Sequence, residues 1–201
     1  MKIVFATGNK GKLKEAREIF TGHEIISIKE FDSGFAPDET GDSFFQNAVI
    51  KAEAAMKIVK NIAVLSDDSG LIVEQLDGAP GVYSSRFGGE EGNDLLNRKK
   101  LLNELNGIKE RGAYFSCTAV LLFPDMSAIV TNGKCYGKIG FKELGDNGFG
   151  YDPLFIPDGF DKTMSELSSD VKNSLSHRGN AFRKLMEKIG EHNEQKDRNF
   201  Q

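Results

Sequence analysis

Two adjacent aspartates, Asp67 and Asp68, stand in the stretch LSDDSGL directly after a short apolar run. Aspartate, serine and glycine favour turns, so a tight turn between strands Ile62–Ser66 and Leu71–Gln75 is predicted. The same carboxylates could instead hold Mg²⁺, which typically takes one or two carboxylates together with substrate phosphates. Because successive side chains of an extended segment point to opposite faces, only one aspartate is expected at the ion. The other is expected to support the turn.

A second carboxylate and a lysine could complete such a site. Ser43, Asn47 and Lys51 recur every fourth residue in a predicted helix and form one polar stripe. Polar stripes usually face water, but if this one lines a cleft beside Glu39, Glu39 could reach the metal of Asp68 and Lys51 the same phosphates. The opposite face is predicted to pack in the core and carries Phe45, Ala48, Val49, Ala52 and Met56.

The segment ATGNKGK, residues 6–12, joins a predicted strand to a predicted helix. The first N–H groups of a helix are unpaired and favour phosphate. Asn9 adds a side-chain donor, and Lys10 and Lys12 add positive charge. The segment lacks the spacing of a P-loop or of a dinucleotide fingerprint, so a phosphate site and a plain helix start with solvated lysines both stay open.

A glycine-rich loop, NGFGYDP, offers groups that suit a nucleotide base. Phe149 and Tyr151 present aromatic faces, and Asp152 presents an acceptor. The alternative is a structured loop with an aromatic plug, but the density of special residues favours a ligand loop.

The segment KNSLSHRGNA precedes the last predicted helix. Lys172 and Arg178 carry donors only. Such groups select a carbonyl oxygen over an amino group, because a buried polar group without a partner costs about 1–3 kcal/mol. A helix N-cap at Ser176 with surface charges is the alternative.

The elements that must position these groups alternate between strands and helices early in the chain and end with a predicted hairpin. This order predicts an α/β fold with a mixed sheet. The predicted strands are Lys2–Ala6, Glu24–Ile28, Ile62–Ser66, Leu71–Gln75, Ala113–Phe123 and Ala128–Cys135, and the predicted helices are Lys10–Phe20, Ser43–Lys60, Asn93–Asn106 and Ala181–Ile189.

Composition narrows the class of protein. The chain has 201 residues, 39% hydrophobic and 28% charged, with a formal charge of −4. This fits one globular domain with no nucleic-acid partner. No apolar run reaches the roughly 20 residues of a membrane span, and no signal peptide is predicted. Cys117 and Cys135 lack CxxC spacing, which fits a reducing cytoplasm.

Seven motifs, taken together and in order, resemble the inosine triphosphate pyrophosphatase family. The likeness runs from about Lys2 to Ile189, so one catalytic domain over residues 1–190 and a polar C-terminal tail over 191–201 are expected. The motifs are ATGNKGK, ETG, QNAVIKA, DDSGL, GAPGVYSSRF, FGYDP and SHRGNA.

The resemblance implies a fold, a reaction and partners. The fold would be an elongated mixed sheet flanked by helices, in two lobes with a central cleft, and the protein would be a homodimer. Mg²⁺ would be required to hydrolyse ITP, dITP and XTP to the monophosphate and pyrophosphate. Water would attack the α-phosphorus, and Asp68 would accept its proton.

The resemblance also assigns roles to residues of this chain. Glu39 and Asp68 would be the Mg²⁺ ligands, with Asp68 and Lys51 catalytic. Phe149 would stack on the base, and Asp152, Lys172, His177 and Arg178 would read its edge. The full substrate-binding set would be Thr7, Gly8, Asn9, Lys10, Gly11, Lys12, Ser69, Phe149, Gly150, Tyr151, Asp152, Lys172, His177 and Arg178.

Two other functions remain open at this point. One is a Maf-like pyrophosphatase acting on pyrimidine or modified nucleotides, and the SHR segment that accompanies FGYDP argues against it. The other is a nucleotide sensor without catalysis. Asp68, Glu39 and Lys51 argue against the sensor, because sensing alone needs no base.

Overall fold

The protein, described here by a computed structural model over residues 1–199 with side chains to residue 192, is built on a mixed six-stranded sheet. The strand order is β2-β1-β3-β4-β5-β6, with β1 parallel to β2 and β3, and β5 antiparallel to β6. The strands are β1 Lys2–Phe5, β2 Glu24–Ser27, β3 Ala63–Val73, β4 Gly112–Leu122, β5 Ala128–Ile139 and β6 Phe155–Pro157. The predicted α/β class with a mixed sheet is therefore confirmed.

The helices begin at polar caps that the sequence supplies. Asn9, Ser43, Asn93 and Ser168 each accept a hydrogen bond from a backbone N–H of the first turn that follows, which satisfies one of the unpaired donors there. The α-helices are α1 Lys10–Ile19, α2 Phe44–Val59, α3 Asp94–Glu104, α4 Ser169–Leu175 and α5 His177–Asn199.

The chain forms two compact units. Unit 1 comprises Met1–Asp68, Cys117–Gly133 and the chain from Arg178 onward, and unit 2 comprises Ser69–Ser116 and Lys134–His177. The single catalytic domain over residues 1–190, the tail over 191–201 and the central cleft stay predictions.

Unit 1 packs helices on both faces of its strands. Alternate residues of β1 enter different cores: Ile3 and Phe5 pack in the cluster that contains residues of α1 and α5, and Val4 packs in the cluster that contains residues of α2. This is the two-residue period of a strand buried on both faces. β3 continues the same alternation, with Leu65 in the first cluster and Val64 in the second.

Unit 2 has its own apolar core. The cluster joins β3, β4, β5 and β6 to α3 and to the segment that follows β5. Its larger fully buried members are Leu71, Leu101, Leu105, Ile139 and Phe155. Both cysteines are free and buried, Cys117 in unit 1 and Cys135 in unit 2.

The predicted turn at LSDDSGL is wrong. β3 runs without interruption from Ala63 to Val73, so Asp67 and Asp68 lie in the middle of a strand. Both carboxylates have partners on neighbouring elements, and these contacts outweigh the local preference of Asp, Ser and Gly for turns.

Other differences from the predicted elements are smaller. Helix α5 is longer at both ends than the predicted Ala181–Ile189, and residues 200 and 201 lie outside the described chain. Strand β6 and helix α4 were not predicted. Phe45 is 49% exposed rather than in the core. Within residues 1–199, no helix combines the length and the apolar character needed to cross a membrane.

Candidate active site

Strand β3 presents its two aspartates to opposite layers of unit 1. Asp67 lies on the same face of the strand as Ala63 and Leu65, and it contacts residues of α1 and α5. Asp68 lies on the opposite face with Val64, and it contacts residues of α2. The predicted separation of the two side chains therefore holds, although the segment is a strand rather than a turn.

Asp68 lies in a group of polar side chains from three segments. Lys51 Nζ on α2 lies 3.0 Å from Asp68 Oδ1 and 3.0 Å from Glu39 Oε2. Asn47 Nδ2 donates to the other Asp68 oxygen, Oδ2, at 3.2 Å. Asn47 Oδ1 accepts from the Gly41 N–H at 2.8 Å, which ties the loop that carries Glu39 to the same helix. One lysine thus joins two carboxylates that are far apart in sequence.

The polar stripe of α2 is therefore buried at Asn47 and Lys51 and does not face water there. Asn47 is fully buried and Lys51 is 7% exposed. At Gly41 a Cβ atom would lie 2.6 Å from Gln46 Cβ, so the backbone of the ETG motif approaches α2 more closely than a side chain would allow.

The protonation of this group follows from its burial and its charges. Burial raises the pKa of Glu39, and Lys51 offsets part of that effect. Burial alone would lower the pKa of Lys51, but Asp68 and Glu39 outweigh it, and the pKa is raised. Lys51 therefore stays an ammonium near neutral pH and acts as a fixed positive charge rather than as a base.

Asp67 is the centre of a second ionic group, in which Asp67 and Arg178 are buried and Lys12 is partly exposed. Lys12 Nζ lies 3.2 Å from Asp67 Oδ2, and Arg178 Nε donates to the same oxygen at 3.1 Å. Arg178 Nη1 also donates to Glu15 Oε2 at 2.7 Å. Burial opposes ionisation, yet Lys12 and Arg178 hold the pKa of Asp67 well below its usual range. Burial, together with Asp67, raises the pKa of the neighbouring Cys117 thiol.

The phosphate-loop candidate caps helix α1. Asn9 Oδ1 accepts from the Lys12 N–H at 3.0 Å, and Thr7 Oγ1 accepts from the Asn9 N–H at 3.1 Å. Gly8 and Lys10 are exposed, and Gly11 is half-buried. Lys12 is the member of this loop that reaches a buried carboxylate, since its ammonium meets Asp67.

The aromatic loop of unit 2 is organised around Asp152. Asp152 Oδ2 accepts from the Phe149 N–H at 3.0 Å and from Lys172 Nζ at 2.7 Å. The same ammonium lies 4.8 Å from the centroid of the Phe149 ring, which is a cation–π contact. Gly148 has a φ of +87°, and a Cβ there would collide with the Asp152 carboxylate, so glycine is required.

Two other candidates in unit 2 belong to its interior. The Tyr151 hydroxyl donates to the Ser84 carbonyl at 2.9 Å, and burial raises the pKa of the phenol. His177 is buried and stacks on Phe115, with ring centroids 4.6 Å apart. Ser69 is half-buried on β3.

The structure thus sorts the candidates into two sets. Unit 1 brings together Glu39, Lys51 and Asp68, and separately Lys12, Asp67 and Arg178. Unit 2 brings together Phe149, Asp152 and Lys172. Whether each residue touches substrate stays a prediction.

The expectation that Arg178 selects a carbonyl oxygen over an amino group, because it would otherwise lack a partner, needs correction. Arg178 is 2% exposed and donates to both Asp67 and Glu15, so a base that offers it no acceptor would not leave it without a partner.

Sequence reasoning missed three participants. Glu15 pairs with a residue 163 positions away, and no pattern in one sequence signals that contact. Asn47 was placed in the polar stripe but not in the site, and its signal was its position four residues before Lys51. Asp67 was expected to support a turn and instead receives two cations.

Comparison with known proteins gives one consistent answer. Residues 3–188 match the model of the Ham1 family. A dITP/XTP pyrophosphatase of Bacillus anthracis is 45% identical over 196 residues, which cover 94% of this chain and 96% of the relative. The solved structure of the Staphylococcus aureus Ham1 protein is 41% identical, with a TM-score of 0.85 over 96% of this chain and 100% of that one. The structure of a nucleoside-triphosphatase, or dITP/XTP pyrophosphatase, of Mycobacterium abscessus is 40% identical, with a TM-score of 0.73 over 92% of this chain and 98% of that one.

Proposed function

Because the chain belongs to the Ham1 family, we propose that it hydrolyses non-standard purine nucleoside triphosphates, namely dITP, XTP and ITP, to the monophosphate and pyrophosphate. The structural observation that carries this proposal is the group in which Lys51 joins Glu39 and Asp68. It places two carboxylates and one fixed positive charge together in unit 1, as a triphosphate with a divalent cation requires.

The carboxylate pair suits Mg²⁺. Among the described residues no three His, Cys, Asp or Glu side chains form a complete metal cage. Mg²⁺ seldom needs such a cage, since it takes one or two carboxylates and fills its other positions with phosphate oxygens and water. Glu39 and Asp68 would be those carboxylates. When bound, Mg²⁺ would offset the negative charge that builds on the phosphate oxygens.

Asp68 is the group we assign as proton acceptor for the attacking water. Lys51 and Asn47 each donate to a different oxygen of its carboxylate, so the orientation of the carboxylate is fixed. Since both partners are donors, the carboxylate keeps acceptor capacity on each oxygen. A base held in this way needs little reorganisation when the proton arrives.

The N-terminus of α1 adds further positive potential in unit 1. Its free N–H groups, Asn9 at the cap and the Lys10 ammonium favour phosphate there. The Lys12 charge is partly balanced by Asp67, so we assign Lys12 a weaker share of phosphate binding than Lys51.

The aromatic loop of unit 2 is the group we assign to the base. Phe149 offers a ring face for stacking, and Asp152 and Lys172 offer an acceptor and a donor held 2.7 Å apart. An ordered acceptor–donor pair can read the edge of a purine, and a base with the wrong edge would set a donor against a donor or an acceptor against an acceptor.

The substrate assignment predicts a clear ranking. Purified protein with Mg²⁺ is expected to hydrolyse dITP, XTP and ITP at least about tenfold more efficiently than ATP, because a mismatched polar edge costs roughly 1–3 kcal/mol. Initial rates of pyrophosphate release measure the ranking. Equal turnover of ATP would contradict the specificity, and release of orthophosphate would contradict cleavage at the α-phosphorus. Complete inactivity with all four would favour the nucleotide sensor. Preference for dTTP or UTP would favour the Maf-like activity, against the family match.

We also propose that the protein is a homodimer that works in the cytoplasm. The family likeness supports the dimer, and the two free, buried cysteines fit a reducing compartment. Light scattering on the purified protein is expected to give the mass of two chains at micromolar concentration. A single-chain mass across that range would contradict the dimer.

A further inference from the structure

Two charged residues of helix α3, Asp94 and Arg98, both contact one residue of the aromatic loop of unit 2, Gly150. Asp94 Oδ2 accepts from the Gly150 N–H at 2.7 Å, and Arg98 Nη1 donates to the Gly150 carbonyl at 2.9 Å. Asp94 and Arg98 are four residues apart on the helix and therefore project from the same face. Both backbone groups of a single residue are thus held by charged partners, which form the stronger class of hydrogen bond.

Further contacts support Arg98 and helix α3. Arg98 Nε lies 2.9 Å from Glu143 Oε2, an ion pair without the alignment of a hydrogen bond, so Glu143 adds a second, weaker contact to the guanidinium. Helix α3 is fixed in turn by the buried Asn97, which accepts from the Gly88 N–H at 2.6 Å and donates to the Ser85 carbonyl at 3.0 Å. Asp94 and Arg98 therefore project from a helix that is itself anchored through a buried side chain.

Gly150 lies between the two aromatic residues of the loop. Its φ of +62° belongs to the left-handed region that favours glycine. Its N–H is part of the peptide that follows Phe149, and its carbonyl is part of the peptide that precedes Tyr151. Holding both groups restricts both peptide planes and, together with Asp152 at the Phe149 N–H, restricts the backbone from which the Phe149 ring projects.

We propose that Asp94 and Arg98 are positioning residues for base recognition, which set the placement of Phe149 through Gly150. This inference rests on the proposed function, in which Phe149 stacks on the purine. Neither residue touches the substrate in this proposal. Base stacking contributes to binding of the whole nucleotide, so loosening the loop should weaken binding more than chemistry.

The first experiment needs no substrate. Amide hydrogen exchange at Gly150 is measured in the wild type, in Asp94→Ala and in Lys99→Ala, where Lys99 is an exposed cation on the same helix. Exchange at Gly150 is expected to accelerate about tenfold or more in Asp94→Ala, because the N–H loses a charged acceptor. It is expected to be unchanged in Lys99→Ala. Unchanged exchange in Asp94→Ala would show that Asp94 does not hold the Gly150 N–H and would overturn the proposal.

The second experiment uses dITP and Mg²⁺. In Arg98→Ala the KM for dITP is expected to rise about tenfold, with kcat within about twofold of the wild type, because uniform binding is lost rather than stabilisation of the transition state. In Arg98→Lys the rise in KM should be smaller, since lysine can still donate to the Gly150 carbonyl. The Asp94→Ala, Arg98→Ala double variant should be no worse than the poorer single variant, since both act through one residue.

The outcomes separate the two proposals. A wild type that does not hydrolyse dITP would refute the proposed function, and the exchange data would still decide whether Asp94 holds Gly150. A wild type that hydrolyses dITP, with an unchanged KM in Arg98→Ala, would overturn the positioning role. Asp94→Asn keeps a neutral amide acceptor for the Gly150 N–H, so it replaces Asp94→Ala, with a smaller acceleration expected, if circular dichroism shows that the alanine variant does not fold.

Discussion

Replacing Asp68 with asparagine is expected to lower kcat for dITP by about a thousandfold, because a positioned general base contributes roughly 10²–10⁴ in rate. Asparagine also lacks the charge of a metal ligand. Lys51 and Asn47 each donate to a different oxygen of Asp68. The NH₂ group of an asparagine there would face one of these two donors, and this unfavourable contact is expected to lower local stability. Steady-state pyrophosphate release, with thermal unfolding measured on the same sample, checks the result.

The matched control for this variant is Asp38→Asn. Asp38 is an exposed carboxylate one residue before Glu39, so its replacement removes one negative charge close by in sequence without touching the Lys51 group. It is expected to retain kcat within about twofold. Full activity in Asp68→Asn would refute the assigned base, and equal loss in both variants would mean that net charge rather than position matters.

The opposite orientation of Asp67 and Asp68 could be predicted because alternation is a property of the extended backbone itself. The turn was predicted wrongly because turn preferences describe a chain whose polar groups have only local partners. In unit 1 each carboxylate finds a cation on a packed helix instead, Lys12 on α1 for Asp67 and Lys51 on α2 for Asp68. One sequence shows the strand period but not which helix covers which face.

Long-range ionic contacts were the part of the candidate site that could not be predicted. Arg178 has donor groups only, and its sequence context indicated either a carbonyl partner or a surface charge. The partners it has, Asp67 and Glu15, lie 111 and 163 positions away. Ion pairs of this span depend on the assembled fold and leave no period in the chain.

The buried pairing of Asp67 leads to the second large effect, which is on stability. Asp67→Asn is expected to lower the free energy of unfolding by about 3 kcal/mol at pH 7, because removing one partner of a buried ion pair leaves the other charge uncompensated. Arg178 keeps Glu15, so the low end of the usual range is expected. Urea unfolding of the wild type, Asp67→Asn and Asp38→Asn measures the difference. A loss no larger than that of the exposed control would contradict the pairing.

The pH dependence of this difference in the free energy of unfolding shows whether Asp67→Asn acts by removing a charge or by altering the packing. Lys12 and Arg178 hold the pKa of Asp67 below its ordinary value in the folded state. A depressed pKa contributes stability above the unfolded value of about 3.9, and the contribution is lost as pH falls through the folded pKa. Asparagine does not titrate, so the gap between wild type and Asp67→Asn should be constant from about pH 5 to 8 and shrink below about pH 4. A gap that stayed constant into acid would mean that packing, not the ionised carboxylate, stabilises this part of unit 1.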